Sequence, residues 1–417
     1  MNTDFQVSLR DMLEAVSEAI DLINPKLTGH HKRVAYIAGS IAEAMELEQE
    51  ERTEIVWASY LHDFGIIGLK DSNQILDLDH EENTHAQIGY RLLKDLPEIN
   101  KVAIIVREHH TSFKEMTKKN EKGLIGSEII YLSDRVDVLL DRNSEPLSQV
   151  EGILEWLEKR TNTKFNPRVF YAFSQVAKRE AFWLDLVHSS LEKSLGKMVY
   201  TQKMELSADG LLSFGKFFSQ IIDFRSRFTA THSRGVAASA VYLAKLVGFS
   251  LREQAKMQIA GYLHDLGKLS VPSDILEKDK QLSIDEFNLI KKHTYYTYRI
   301  LEDVEGLEEI AVWAGLHHEK PNGQGYPFGL KGEDIPLGAR IMAVADVFTA
   351  LTEKRPYRRG MNKFEATANL RMMARNGFLD TNITALAISF YDDLNRVCRH
   401  EQAVALEEYK RFSADLL

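Results

Sequence analysis

The chain has 417 residues, of which 44% are hydrophobic, and a formal net charge of −9 at pH 7. This length favours two domains, and this composition favours a globular protein over a disordered one. The acidic balance argues against a general binder of DNA or of anionic membranes, which would carry a basic excess.

Three features of the sequence indicate in which cellular compartment the protein lies. Cys398 is the only cysteine, so no intrachain disulfide can form and nothing indicates an oxidising environment. The first residues lack a basic segment followed by an apolar one, so no signal peptide is expected. The sequence also has no uninterrupted apolar run of about eighteen residues, as a membrane span would need. We therefore expect a cytoplasmic protein with neither DNA nor a membrane as partner.

Apolar residues recur mostly at spacings of three and four, whereas the alternating runs typical of strands are scarce. The pattern predicts an all-α fold. Ser283, with Glu286 three residues later, forms a capping-box pattern that predicts the start of one helix. The clearest helical patterns in chain order are 234–248, 251–264, 284–301, 306–318 and 337–353.

The N-terminal half carries ionisable residues at fixed places within its apolar stretches. These stretches read HKRVAYIAGSIAEAM, YLHDFG, THAQIGYRLLKDL, REHHTSF and IIYLSDRVDVLL. The ionisable residues of interest in them are His31, His62, Asp63, His85, His109, His110 and Asp134.

The C-terminal half repeats this layout. Its stretches read HSRGVAASAVYLAKL, YLHDLGK, KHTYYTYRILEDV, GLHHEKPNG and RIMAVADVFTAL. The ionisable residues of the two halves match in order, beginning with His31 and His232. The difference in residue number between matched residues rises from 201 to 212 along the chain. The repeat predicts two tandem helical domains that arose by duplication, 1–200 and 201–417. The C-terminal set is His232, His264, Asp265, His293, His317, His318 and Asp346.

Each of these residues, taken alone, could have an ordinary structural role. A single histidine on an apolar helix face is usually a satisfied core residue, and Asp346 alone would be a hydrogen-bonding acid. Burying seven ionisable groups together without partners, however, would be very costly. A divalent metal cluster compensates for that cost. Seven ligands are too many for one ion, so we expect two transition-metal ions bridged by Asp265, with Fe, Mn or Ni favoured.

The C-terminal motifs resemble those of the HD-GYP phosphodiesterases, which cleave bacterial cyclic dinucleotides and belong to the HD superfamily of metal-dependent phosphohydrolases. HDLGKLSVPSDIL, HHEKPNGQGYPFGLKGEDIP and ARIMAVADVFTALTEKRPYR occur in the right order within roughly 210–400. The resemblance implies one ion held by His232, His264, Asp265 and Asp346. It implies a second ion held by Asp265, His293, His317 and His318.

The resemblance also implies roles for residues outside the ligand set. Asp265 and Lys268 would be catalytic, with the Lys268 ammonium steadying charge on the scissile phosphate. Arg355 and Arg358 would grip phosphate or a guanine edge. Tyr326, in the GYP signature, would shape the substrate cleft or contact a protein partner. The alternative for the two arginines and the lysine is an ordinary solvated surface side chain.

Two positions depart from the family pattern. Asn322 opens the GYP loop where many members have Asp, and both residues support the same kind of turn. Phe228 stands where some members carry a glutamate for a third metal, so two metals are expected.

The first copy is degenerate. Ile66 replaces the lysine, and neither a GYP loop nor the RPYR stretch follows. We expect domain 1–200 to be regulatory or dimer-forming, and whether it binds metal is left open.

The favoured interpretation is an enzyme that hydrolyses a cyclic dinucleotide to a linear product. The substrate is left open between 3′3′-cGAMP, on the analogy of tandem architecture, and c-di-GMP. Two alternatives are kept: a non-catalytic nucleotide receptor or scaffold, and an HD-type hydrolase acting on nucleoside triphosphates or alarmones. A homodimer and a protein partner at the GYP loop are further expectations that the sequence leaves open.

Overall fold

A computed structural model describes residues 6–68, 83–118, 124–189, 191–198, 205–224, 231–278, 280–354 and 359–416. Helices dominate these ranges, which confirms the predicted all-α class. Two short strands, β1 (Val7–Ser8) and β2 (Glu205–Leu206), pair antiparallel with Val7 opposite Leu206.

The chain divides into two compact units. The N-terminal unit is Val16–Met204, and the C-terminal unit comprises Glu205–Leu417 with the described residues up to Ala15. Helix α1 (Leu9–Asp21) contributes residues to both. The division near residue 204 lies close to the predicted junction, whereas the first residues group with the C-terminal unit and not with the predicted domain 1–200. The roles assigned to the two domains stay predictions.

The remaining helices of the N-terminal unit are α2 (His30–Ala44), α3 (Gln49–Leu61), α4 (Thr84–Leu93), α5 (Asn100–Glu108), α6 (Phe113–Lys118), α7 (Ile125–Leu139), α8 (Val150–Glu158), α9 (Pro167–Val176), α10 (Glu180–Val187) and α11 (Leu191–Met198). Those of the C-terminal unit are α12 (Ala208–Phe224), α13 (His232–Val247), α14 (Leu251–Leu263), α15 (Ser273–Leu276), α16 (Ile284–Glu302), α17 (Glu308–Gly315), α18 (Leu337–Thr352), α19 (Lys363–Arg375), α20 (Thr381–Ser389) and α21 (Tyr391–Leu416).

Helix α13 is central to the C-terminal unit and packs against α14, α18 and α21, as α2 packs against α3 and α7 in the N-terminal unit. The predicted capping box is confirmed at the start of α16. Ser283 Oγ accepts from the Glu286 backbone N–H at 3.2 Å, and the Glu286 carboxylate accepts from the Ser283 N–H at 2.7 Å. Helix α17 is shorter than the predicted 306–318, because it ends at Gly315 and leaves the two following histidines outside the helix.

A glycine two residues after the His-Asp pair brings two segments into close contact in each unit. A Cβ on Gly267 would overlap the carbonyl oxygen of His293, and a Cβ on Gly65 would overlap that of His85. Only glycine therefore lets the turn after the pair lie directly against the helix that carries the next histidine.

Gly267→Ala is expected to lower the free energy of unfolding by roughly 2–3 kcal/mol, because the new methyl group meets backbone and not a flexible side chain. Chemical denaturation followed by circular dichroism measures this change. Gly152→Ala is the control, since a Cβ at that position inside α8 would contact nothing within 4 Å. Equal stabilities for the two variants would contradict the packing argument.

Candidate active site in the C-terminal unit

The first group of predicted ligands comes from the ends and interior of three helices. His232 is the first residue of α13, His264 follows the last residue of α14, and Asp346 lies within α18. One ligand atom from each lies within 4.8 Å of the other two, and His232 Nε2 is 3.1 Å from Asp346 Oδ1. Both histidines are buried, and the Asp346 side chain is 13% exposed.

The second group lies beside it. His293 projects from the middle of α16, and His317 and His318 follow the end of α17 after one intervening residue, Leu316. Their ligand atoms also lie within 4.8 Å of one another, with the Nε2 atoms of His293 and His317 3.4 Å apart. The structure therefore brings the predicted histidines into two adjoining groups.

Asp265 lies between the two groups. Its Oδ2 atom is 3.2 Å from His264 Nε2, and its Oδ1 atom is 3.5 Å from His293 Nε2. One carboxylate thus presents a different oxygen to each group, which is the arrangement of a bridging ligand.

Backbone carbonyl groups orient three of the imidazoles. The Nδ1 atom of each donates to a helix carbonyl oxygen three residues earlier in the chain: His264 to Gly261 at 2.8 Å, His293 to Ile290 at 2.6 Å and His317 to Ala314 at 2.5 Å. In the neutral form of each ring, the Nε2 atom then carries the lone pair that faces the cluster. Fixing the ring through its other nitrogen is the usual support for a metal-ligating histidine.

The electrostatics of the cluster favour neutral imidazoles. Burial lowers the pKa of His293 to about 3, and burial together with neighbouring imidazoles lowers the pKa of His317 well below its ordinary value. Burial alone would raise the pKa of Asp265, but His264 and the Lys268 ammonium hold it well below its ordinary value. Neutral imidazoles and ionised carboxylates are the forms that bind metals.

His232 differs from the other rings. Burial lowers its pKa, but hydrogen bonds to Asp346 and Glu353 outweigh burial and raise the pKa to about 10. Ligation through this ring would therefore release a proton.

The donor set fits divalent transition metals. Among the described residues, His264 Nε2 and Asp265 Oδ1 are buried without a hydrogen-bond partner. Orphaned buried atoms of this kind are costly unless a ligand satisfies them, and imidazole with carboxylate is a donor set typical of iron, manganese and nickel.

Lys268 supplies the positive charge beside this cluster. Its ammonium is 2.5 Å from Asp265 Oδ2, and its side chain is 23% exposed, so it lies at the accessible side of the carboxylate. Burial opposes its charge, but Asp265 outweighs burial and raises the pKa of the lysine.

The GYP loop is held against the cluster by a residue that the sequence analysis missed. The buried Glu319 carboxylate accepts the backbone N–H groups of Phe328, Gly329 and Leu330 at 2.7, 3.0 and 3.0 Å. This anchor places the Tyr326 ring 5.0 Å from the His318 ring.

Glu319→Gln is expected to lower kcat/KM by roughly 10–100-fold through misplacement of the loop, with unchanged metal content. An amide can accept fewer of the three N–H groups than a carboxylate, and its NH₂ group opposes one of them. Steady-state kinetics with metal analysis would measure both quantities. Glu333→Gln is the matched control, because the Glu333 side chain is 88% exposed. Equal kinetics in both variants would rule out the anchoring role.

Three residues named in the sequence analysis lie outside the described residues: Arg355, Arg358 and Phe228. Their expected roles stay predictions. Glu353, two residues before the first of them, was also missed by sequence reasoning. Its Oε2 atom is 3.4 Å from His232 Nδ1, and its position seven residues after Asp346, two helical turns on, is the signal that could have found it.

In the N-terminal unit the structure corrects one predicted match. Helix α2 begins at His30, as α13 begins at His232, and His30 Nε2 is 3.4 Å from Asp134 Oδ1. His232 therefore corresponds to His30 and not to His31. The constant offset of 202 that already relates the two His-Asp pairs was the signal for this correction.

In each of the two units, helices bring a His-Asp pair together with further histidines and an aspartate. This repeated arrangement defines an HD-domain protein. Models of the HD domain match residues 27–139 and 216–383. The 3′3′-cGAMP-specific phosphodiesterase 1 of Vibrio cholerae is 30% identical over 396 residues, which cover 92% of this chain and 92% of that protein. The chain belongs to the HD-GYP phosphodiesterase family, in the form that carries two HD domains in tandem.

Two further proteins are similar to the chain. A cyclic di-GMP phosphodiesterase of Pseudomonas aeruginosa is 40% identical over 157 residues, 37% of each chain. A solved structure of a cyclic GMP-AMP specific phosphodiesterase of Vibrio cholerae matches 96% of this chain and 98% of that one, with a TM-score of 0.66 and 21% identity. At that identity the likeness concerns the fold. None of the helices in the described ranges is long and apolar enough to cross a membrane.

Proposed function

We propose that the chain hydrolyses a cyclic dinucleotide, with 3′3′-cGAMP as the preferred substrate, and releases a linear dinucleotide. The observation that carries this proposal is the convergence, in the C-terminal unit, of the complete ligand set with Lys268 and the anchored GYP loop. The preference for the hybrid dinucleotide rests on the Vibrio cholerae relative, whose name specifies 3′3′-cGAMP and which is matched over 92% of its length.

Two divalent ions, Fe, Mn or Ni, are proposed for this unit. His232, His264 and Asp346 would hold one ion, His293, His317 and His318 would hold the other, and Asp265 would bridge them. When bound, such a pair supplies a hydroxide nucleophile near neutral pH and neutralises charge on phosphate oxygens.

The chain's own residues then complete the site. Lys268, already 2.5 Å from Asp265, can turn its ammonium toward a phosphate that enters from the exposed side. Tyr326 offers an aromatic face beside His318 on which a nucleobase can stack. Arg355 and Arg358 are proposed to bind phosphate or a guanine edge.

Product analysis tests the proposal. Purified protein reconstituted separately with Mn²⁺ and Fe²⁺ is incubated with 3′3′-cGAMP, c-di-GMP and c-di-AMP, and the products are separated by chromatography. We expect 3′3′-cGAMP to be opened fastest and activity to be lost in Asp265→Ala. Faster turnover of c-di-GMP would replace the substrate assignment, and no turnover with both ions bound would favour a receptor.

The N-terminal unit is proposed to be regulatory or dimer-forming, because Ile66 stands in place of the lysine and the sequence there has no GYP loop. Hydrolysis that persisted in full-length Asp265→Ala would contradict this assignment. A cytoplasmic location, a homodimer and a protein partner at the GYP loop stay predictions.

A further inference from the structure

The N-terminal unit contains a cluster of eight potential metal ligands. We propose that this cluster is a second binuclear metal centre, distinct from the active site and built to retain its ions and not to process substrate. The cluster, called the N-terminal centre below, consists of His30, His31, His62, Asp63, His85, His109, His110 and Asp134.

Asp63 has the geometry of a bridge between two ion positions. Its Oδ2 atom is 3.3 Å from His62 Nε2 and 4.0 Å from His31 Nε2. Its Oδ1 atom is 3.4 Å from His85 Nε2 and 3.9 Å from His109 Nε2. An ion about 2.1 Å from each ligand holds neighbouring ligand atoms about 3 Å apart and opposite ones about 4 Å apart. The separations between these atoms fall in or close to this range on both sides of the carboxylate.

The atoms that face the two positions are buried and orphaned. His30 Nε2, His31 Nε2, His62 Nε2, both Asp63 oxygens and Asp134 Oδ1 have no hydrogen-bond partner among the described residues. Buried polar atoms are nearly always satisfied, so six orphaned atoms converging on one place point to a ligand that satisfies all of them. Because the set combines imidazole nitrogens with carboxylate oxygens, the donor set of transition-metal sites, that ligand is a cation.

The far sides of four of the rings are already anchored. His30 Nδ1 donates to Asp137 Oδ2 at 2.7 Å, and Arg33 binds the same carboxylate. His31 Nδ1 donates to Asp21 Oδ1 at 2.5 Å. Carboxylate–histidine pairs of this kind orient metal-ligating rings and raise their basicity. His62 and His109 are anchored in the same way by the backbone carbonyl oxygens of Ser59 and Val106.

The N-terminal centre differs from the active site in ways that favour retention over turnover. His31 adds an imidazole where the C-terminal unit has Ser233, so one position fewer remains for water or phosphate. Structural metal sites are typically filled by protein ligands, whereas catalytic sites keep a position open. The Asp134 side chain is also 1% exposed, compared with 13% for Asp346.

The cationic side chain beside the N-terminal centre pairs with a different aspartate from the one that Lys268 pairs with in the active site. Arg135 donates from Nε and Nη2 to Asp134 Oδ2 at 3.0 and 2.6 Å, which leaves Oδ1 facing the ion position. The guanidinium therefore orients a ligand, whereas Lys268 in the active site lies beside the bridging aspartate. Ile66 provides no charge at the lysine position.

Metal analysis of the full-length protein tests the proposal. Wild-type protein, loaded with Mn²⁺ and then desalted, is expected to hold about four ions per chain. Asp265→Ala and Asp63→Ala should each lose about two of them, and the double variant should lose all. A wild-type count of about two, with both ions lost in Asp265→Ala, would overturn the proposal without need of a folded Asp63 variant.

A milder substitution tests the extra ligand. His31→Ser installs the residue that the C-terminal unit carries, and it should speed loss of the N-terminal ions to a chelator by roughly 10–100-fold. His400→Ser, which removes an exposed imidazole, is the control. Equal loss rates in both variants would contradict ligation by His31. Hydrolysis is measured separately: a wild-type protein with about four ions and no activity would overturn the proposed function but not this centre.

Discussion

Replacement of Asp265 with alanine is expected to lower cyclic-dinucleotide hydrolysis by at least about 10⁴-fold, because this one carboxylate is proposed to contribute to both ion positions of the active site. Its Oδ2 and Oδ1 atoms face His264 and His293 at 3.2 and 3.5 Å. Alanine removes both contacts at once, so no carboxylate remains between the two groups of histidines. The loss should therefore appear in metal content as well as in turnover.

Inductively coupled plasma mass spectrometry and single-turnover kinetics on the same preparation measure the two losses. Asp274→Ala is the control, since Asp274 is an exposed acid nine residues further along the chain. Near-normal metal content in Asp265→Ala would contradict the bridging role, even if activity fell.

The second large effect is expected at Lys268. Lys268→Met should lower kcat by roughly 10²–10³-fold and leave metal content unchanged, because methionine keeps an unbranched side chain of similar length but removes the charge that steadies the phosphate. The loss should fall on kcat and not on KM, since the ammonium is proposed to act mainly as negative charge develops.

Lys278→Met is the matched control for this experiment. Lys278 is an exposed lysine that pairs with Glu286 at 2.6 Å, away from the cluster. Unchanged kcat in Lys268→Met would show that the lysine has no role in catalysis. Loss of metal in Lys268→Met would instead show that the lysine acts by holding Asp265 in position for the ions.

Much of the active site could be predicted from sequence because its ligands lie in short motifs that occur twice. The pair His264–Asp265 and the doublet His317–His318 are contiguous, and the repeat identifies them a second time in the N-terminal half. Helical periodicity was sufficient for the all-α class and for approximate boundaries of α13, α14, α16 and α18.

Residues that support the ligands could not be predicted in this way. Glu319 contacts backbone N–H groups nine to eleven positions away, and Asp137 reaches a histidine 107 positions away. Such contacts depend on how helices pack, which periodicity does not encode. His30 was missed for a different reason: two adjacent histidines offered two registers, and the offset of 202 that favours His30 was not applied to them. The start of helix α2 at His30 distinguishes the two registers in the structure.

Three imidazoles of the active site donate to carbonyl oxygens three residues earlier in the chain, in α14, α16 and α17, so local folding of these segments sets their orientation. We therefore expect the metal-free protein to fold with these rings already in place, so that addition of ions alone activates it. A cell could then hold a folded, inactive pool of the protein during metal scarcity. The lifetime of the nucleotide signal would follow the availability of divalent metal, with no change in gene expression.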